Sequence, residues 1–430
     1  MMRLLYVTAC VVGCVACEFP RPADVTDDGG APPADSAGDS SNGDGAMSNQ
    51  VCTPNQPLRC DAGSLVRCKD DGTAEQSESC ALGCSSTEVR CNDVAPSNGL
   101  APQLDMTAAE PDLDLGATAT INTDDGTVVV DGNPIAVRST IIGQTEAPVI
   151  RVFIVRSLAA ADVTVTGSNA LAIVSNGDVS IRGTFAASAH AAVPGPGRFN
   201  DSTCQGKTGI VVPGGAFAGS GGGGFGSNGG SGGAAMNTRG TAPAVAGGSP
   251  TGNPSLIPLR GGCDAGPWSG GGSFLGTGGG AIQLVSRTRI FVTGVVAANG
   301  SSQTGGGSGG GILLEAPVVE VPGNVVANGG AGADLCFFAL VTGEDGRLDA
   351  TPAIGAAACD PELGARGGNG AAGSTTAGAG TSLSVSTGGS AFPGGGGGGV
   401  GRIRVNTASG GVDASGVFSP GPSTGTIGVR

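Results

Sequence analysis

The sequence predicts an all-β protein, a β-solenoid with glycine-rich insertions, preceded by a small disulfide-rich module. Three observations carry that prediction. A strand-and-turn unit recurs along residues 110–430, and six cysteines crowd between Cys52 and Cys91. Glycine supplies 84 of 430 residues while aromatic residues supply 3%, against an ordinary glycine share of about 7%. A β-sandwich is the alternative, because it also shows many short strands. There is no Gly-X-Y period, which excludes collagen.

The chain begins MMRLLYVTACVVGCVAC, one arginine followed by a short apolar run. The run is too short to span a bilayer and reads as a signal peptide over residues 1–16. It resembles bacterial lipoprotein signals, in which a small residue precedes a cysteine that becomes lipidated. Val11-Val12-Gly13-Cys14 fits that pattern best. Cys14-Val15-Ala16-Cys17 fits less well, because Cys14 stands where an aliphatic residue is preferred. Parity points the other way: the cysteines beyond Cys17 are even in number, so lipidation there leaves no odd thiol. Cys14 and Cys17 both stand as candidates, beside the plainer reading of an ordinary cleaved signal. Acyl chains at about 0.8 kcal/mol per buried methylene would hold the mature terminus in a membrane. Residues 17–50, rich in Asp, Gly, Ser, Ala and Pro, cannot bury enough apolar surface to offset their ordering entropy and read as a disordered acidic tether.

In an exported chain, Cys52, Cys60, Cys68, Cys80, Cys84 and Cys91 read as a disulfide framework over residues 51–93. Six cysteines allow fifteen pairings, and the sequence does not choose among them. Zinc needs closer cysteine pairs or histidine ligands, and the chain's single histidine is His190. Asp70-Asp71-Gly72 after the third cysteine and Gly83-Cys84 at the fifth resemble small six-cysteine modules in exported proteins of myxobacteria. That resemblance covers this module alone and implies no activity. Residues 94–109, with Pro96, Asn98, Gly99 and Pro102, read as a linker.

Strand signals follow. Residues 119–122 and 127–130 flank Thr123-Asp124-Asp125-Gly126 and predict a hairpin. Residues 162–167 and 178–183 each alternate valine or isoleucine with polar residues and end in glycine. Ile290, Val292 and Gly294 repeat the pattern, as do Val319, Val321 and Gly323, with a weaker copy at residues 411–416. An apolar strand precedes three copies, at residues 170–174, 281–285 and 401–405. Stacking such units buries a continuous aliphatic column. This coil grammar resembles right-handed parallel β-helices of the pectin-lyase-like type.

The glycine-rich blocks at residues 194–280, 301–311 and 364–399 separate the coils. Glycine held in regular structure costs roughly 0.5–1 kcal/mol relative to alanine. Such blocks either lack order or are ordered by backbone hydrogen bonds alone, and packed polyglycine-II-like strands are one solution. Cys204 with Cys263, and Cys336 with Cys359, are expected to staple these insertions. The run of features resembles glycine-rich exported lipoproteins of myxobacterial type.

No catalytic residue, cofactor or metal is expected. Gly206-Lys207-Thr208 lacks the first glycine of a phosphate loop, and residues 329–334 match half of a calcium-binding nonapeptide that works only in tandem. His190 has no partner that spacing identifies and reads as a surface residue. Arg402 and Arg404 flank Ile403 with period two and are expected to face solvent. Net charge is −14, and the two lysines are Lys69 and Lys207, which excludes nucleic acid as a partner. The expectation is a lipid-anchored cell-envelope protein, an outer-membrane lipoprotein exposed to periplasm or cell surface, with a structural or adhesive role. Its expected partners are membrane lipid through the acyl anchor, and extracellular polysaccharide or other envelope proteins. The alternative is a carbohydrate-binding or carbohydrate-active β-helix protein. A solvent-facing groove gathering at least two carboxylates with an arginine is the observation that discriminates them.

Overall fold

Period-two alternation and β-branched residues place the chain in strands, and the protein is nearly all-β, 3% helical and 35% strand. The computed structural model describes residues 50–268, 274–336, 339–360 and 364–430, with the side chains of all of these except 335, 336 and 339. The expected signal peptide, most of the expected tether, and Cys14 and Cys17 lie outside the described residues.

Three sheets, largely parallel, form the centre. In the first, Ile150–Val155, Ala170–Ser175, Ala281–Ser286, Gly311–Glu315 and Arg402–Thr407 pair side by side in parallel. In the second, Thr118–Asn122, Asp162–Thr166, Thr184–Ala186, Val295–Ala297, Asn324–Val326 and Val417–Ser419 do the same. The third holds Leu113–Asp114, Leu158–Ala160, Val179–Ile181, Arg289–Val292 and Val318–Glu320. The chain visits third, second and first sheet in turn, then begins again. The hairpin of Thr118–Asn122 with Val128–Val130 forms as predicted.

Parallel register stacks like on like. Leu171, Ile282, Ile312 and Ile403 form one ladder, and Ile173, Leu284, Leu314 and Val405 another. All eight belong to one buried cluster with Val179, Ile290, Val319, Phe185 and Val296. Each full burial stabilises by roughly 1.5–3 kcal/mol. The glycine that ends each repeat has a steric cause: a Cβ on Gly294 would lie 2.1 Å from the Gly183 carbonyl oxygen, and one on Gly323 would lie 2.0 Å from that of Gly294. The turns after Val179–Ile181, Arg289–Val292 and Val318–Glu320 pack backbone on backbone.

The first sheet is buried on both faces, which explains its continuous apolar runs. Its outer face, with Ala172, Val285 and Leu313, packs under Leu100, Leu104, Leu256 and Leu259. Residues 94–109 are therefore not a linker. Val94–Ala95 pairs antiparallel with Gly428–Val429, and the short helix Ala101–Asp105 buries Leu104. The left-handed Asn98 and Gly99 bend the segment onto the sheet. The turn residues shape a packed strap because its aliphatics find an apolar face.

The cysteine module is a three-stranded antiparallel sheet, Pro57–Asp61, Ser64–Cys68 and Glu75–Ser79. Cys52 pairs with Cys68, Cys60 with Cys84, and Cys80 with Cys91. Further along, Cys204 pairs with Cys263, a closure worth about 4 kcal/mol in the loop-entropy view. Cys359 is disulfide-bonded, and the side chain of Cys336 lies outside the described residues.

The glycine-rich insertions are ordered where they are described. Residues 187–280, 298–310 and 327–401 each leave the end of a second-sheet strand and return at the start of a first-sheet strand. Stacking brings all three to one corner, where they knit together through the backbone. Residues 394–399 show the rule. The amides of Gly394 and Gly397 donate to Thr381 and Gly378, those of Gly395 and Gly398 to Ala333 and Gly330, and those of Gly396 and Gly399 to Ser220 and Gly223. Their carbonyls accept from three other segments with the same spacing, at residues 230 and 233, 368 and 371, and 306 and 309. A three-residue period with no internal hydrogen bond is polyproline II-type geometry. Here it surrounds one segment with six neighbours. A net gain of about 0.5–1.5 kcal/mol per hydrogen bond is the size of the glycine penalty.

Candidate functional site

A cleft of about 420 Å³ opens where the chain enters the stack. Glu110-Pro111-Asp112-Leu113-Asp114-Leu115 alternates carboxylates with apolar residues. Leu113 and Leu115 turn into the core, so period two turns Asp112 and Asp114 outward, while Glu110, at the end of the turn Thr107–Ala109, lies largely covered beside Arg138. The strap of residues 135–138, which follows Asn133–Ile135, forms the opposite wall and brings Arg138. Ile154 and Val155 also line the cleft. Two exposed carboxylates, Asp112 and Asp114, thus share a solvent-facing groove with Arg138 and its partner Glu110, the combination that discriminates a carbohydrate-directed protein.

Every carboxylate in it is engaged. Arg138 Nη1 donates to Glu110 Oε1 at 2.8 Å. Arg156 grips Asp112 through both carboxylate oxygens, and Ser157 Oγ donates to Asp112 at 2.6 Å. Asp114 accepts the Gly116 amide at 3.0 Å. The Arg156 hydrogen bond, then that of Ser157, holds Asp112 well below the usual carboxylate range. Glycoside hydrolysis needs one carboxyl kept protonated near neutral pH, and Asp112 is pushed the other way. The cleft is suited to accepting hydrogen bonds from hydroxyl groups.

The other polar clusters hold the fold. Glu315, fully buried, accepts from Ser97 Oγ at 2.7 Å, Gln283 Nε2 at 2.7 Å and Asn406 Nδ2 at 2.9 Å, pinning the strap to the first sheet. Asp93 and Asp105 clasp Arg287 and Arg430, tying the strap to the last residue of the chain. Burial works to raise Asp93, but hydrogen bonds from Arg287, the Val94 amide and Arg430 leave it below the ordinary value. Asp264, beside the Cys204–Cys263 staple, meets Arg198 and Asn200 at 2.6 Å, and burial pushes its carboxyl up. Asp334, in the calcium-like half-motif, accepts the amides of Cys359 and Ala365.

His190 is exposed but has a partner that its sequence surroundings did not reveal. Its Nδ1 lies 2.8 Å from Asp345 Oδ2, while Asp345 Oδ1 accepts the Ser302 amide at 2.7 Å. The Ser302 hydroxyl is buried and has no hydrogen-bond partner, so the trio presents no accessible nucleophile. Arg402 and Arg404 alternate with the core residue Ile403, but they were expected to face solvent and are instead half-buried, because other segments cover that face of the sheet. Among the described residues, no three His, Cys, Asp or Glu side chains are grouped to hold a metal ion. Comparison with known proteins finds no matching family model, no matching curated protein and no matching solved structure.

Proposed function

We propose that this chain is a non-catalytic scaffold of the cell envelope: a β-solenoid of the parallel β-helix type, lipid-anchored at Cys14 or Cys17, with a structural or adhesive role. The observation that carries the reading is the corner bundle. Three insertions from successive coils are joined by backbone hydrogen bonds into one unit beside the stacked sheets, an arrangement that commits much of the chain to a persistent shape. The cyclic order of the sheets and their in-register ladders support the solenoid, and their parallel pairing does not suit an antiparallel sandwich. Gly397→Val tests the role, because a Cβ there lies 1.9 Å from the Asn369 carbonyl oxygen. Cells carrying it should lose matrix association while the purified protein keeps the circular dichroism of the sheets. Undiminished association with the bundle broken would sink the scaffold reading. Intact-mass analysis of the membrane fraction tests the anchor, which an unmodified, soluble terminus refutes.

A second reading, carbohydrate binding, is favoured by the cleft of Glu110, Asp112, Asp114 and Arg138. The engaged state of its carboxylates favours recognition over cleavage. Release of reducing sugar from a polysaccharide, lost in Asp112→Asn, would convert this reading into an enzymatic one.

A further inference from the structure

A second cleft, on the outer face of the first sheet, is cationic in a chain of net charge −14. Arg402 opens the strand Arg402–Thr407, and residues 251–260 cross that face above it. Its Nε and Nη2 both donate to the Thr251 carbonyl, at 3.1 and 2.9 Å. Its guanidinium carbon sits 5.6 Å from the centre of the Phe225 ring. Arg260 approaches the same ring, also at 5.6 Å, and the Phe199 ring at 5.1 Å. The carboxylate paired within this cluster is Asp201, 3.5 Å from Arg260 Nη1. That carboxylate also accepts from Thr251 Oγ1 and from the amides of Thr203 and Cys204. The cluster thus holds two guanidiniums and one carboxylate, which pairs with Arg260, and Arg402 has no carboxylate partner among the described residues. Burial and then the charge of Arg260 push the Arg402 guanidinium down, which is the signature of an uncompensated cation.

Arg402 also lines a cleft of about 180 Å³ with Pro254, Pro420, Gly421 and Ser423, and its Nη1 takes no part in the two hydrogen bonds to Thr251. With Nε and one Nη2 hydrogen given to Thr251, the Nη1–Nη2 edge keeps the pair of parallel donors that a planar carboxylate takes. The volume is below the roughly 300–1,000 Å³ of drug-sized pockets, and suits one small polar group. Ser423 Oγ shares its one proton between the backbone carbonyls of Pro254 and Ile403, at 3.0 and 3.2 Å, which leaves its oxygen to accept from a ligand hydroxyl. Pro254 and Pro420 add apolar surface to the same cleft.

We propose that the Arg402 cleft binds a carboxylate carried on a sugar ring, a uronate of an acidic polysaccharide. The carboxylate supplies the missing anion, the hydroxyls meet Ser423, and the ring rests on the prolines. The polysaccharide source rests on the adhesive reading above, whereas the carboxylate contact does not. The test uses purified protein with sodium glucuronate, glucose, an oligouronate and a short aspartyl peptide as probes. Glucuronate should raise the melting temperature and glucose should not. Arg402→Gln should abolish the shift. Arg404→Gln should keep it, because Arg404 is engaged by Asn406 and the Thr424 carbonyl. Arg402→Lys keeps the charge without the fork and should weaken binding at least tenfold. If Arg402→Gln fails to fold, loss of binding in Arg402→Lys with retained circular dichroism decides. Oligouronate should bind tighter than the monomer. An equal shift in Arg402→Gln, or none in the native protein, overturns the site. Equal binding of the aspartyl peptide, or no gain with the oligomer, overturns the polysaccharide assignment. Failure of cell attachment with the melting shift intact would count against the scaffold reading and not against this site.

Discussion

At the scale of single residues, the repeating glycine is as informative as the aliphatic ladders. A side chain at Gly323 would collide with the Gly294 carbonyl, and backbone neighbours cannot move aside as a flexible side chain can. Gly323→Ala should therefore destabilise by at least about 1–3 kcal/mol, the usual cost of overpacking. Gly143 makes the control, since a Cβ there meets nothing within 4 Å. Gly143→Ala should be neutral or stabilise by up to about 1 kcal/mol through the unfolded chain. Urea denaturation of the two variants checks the difference, and equal midpoints would show that the glycine column is not packed backbone on backbone.

At the scale of elements, the strap of residues 94–109 and the last residues of the chain close on each other. The strands Val94–Ala95 and Gly428–Val429 pair, and Asp93 and Asp105 hold Arg287 and Arg430 around them. Asp105 is held low chiefly by its hydrogen bond to Arg430, and Asp93 is lowered despite its burial. Both folded values lie beneath the unfolded value of about 3.9. Their contribution is fully present above that pH and is lost as pH falls through the folded values. Acidification below about pH 4 should speed amide exchange at Val94, Ala95, Gly428 and Val429 before it affects the ladders. Asp93→Asn should bring the same opening at neutral pH. Simultaneous exchange of latch and ladders in both experiments would mean that the clasp is not a separate unit.

At the scale of the whole molecule, two kinds of interior coexist. The stacked sheets exclude water with aliphatic side chains, whereas the corner bundle excludes it with backbone alone. Apolar exposure raises the heat capacity of unfolding and polar exposure lowers it. Calorimetry should therefore give a specific heat-capacity change below the ordinary 12–15 cal/mol/K per residue, roughly in proportion to the share of bundle. An ordinary value would mean that the bundle buries little. Because the bundle has few side chains to hold it, its staples matter more than in an aliphatic core. Thiol labelling of denatured, unreduced protein should find no free thiol among the cysteines from Cys52 to Cys359. Reduction should release the bundle at a lower temperature than the ladders.

The sequence alone determined the all-β class, the positions of the repeating strands and the concentration of cysteines. Each is written in local periodicity: Ile290 and Val292 alternate because a pleated strand has two faces, and that is legible one residue at a time. It could not determine what lay opposite what. Residues 94–109 carry turn chemistry and read as a linker, but the apolar outer face of the first sheet turns them into a packed strap. Glu110, Asp112 and Asp114 alternate with apolar residues in the sequence but were not expected to form a site, and Arg138 joins them only because a hairpin returns the chain. His190 meets Asp345, and Arg402 meets Phe225 and Thr251, across separations that no local pattern records. The glycine blocks are the clearest case. A glycine run has no side chain with which to state its partners, so its order is set by the stack, which delivers three such runs to one corner where their amides and carbonyls can satisfy one another.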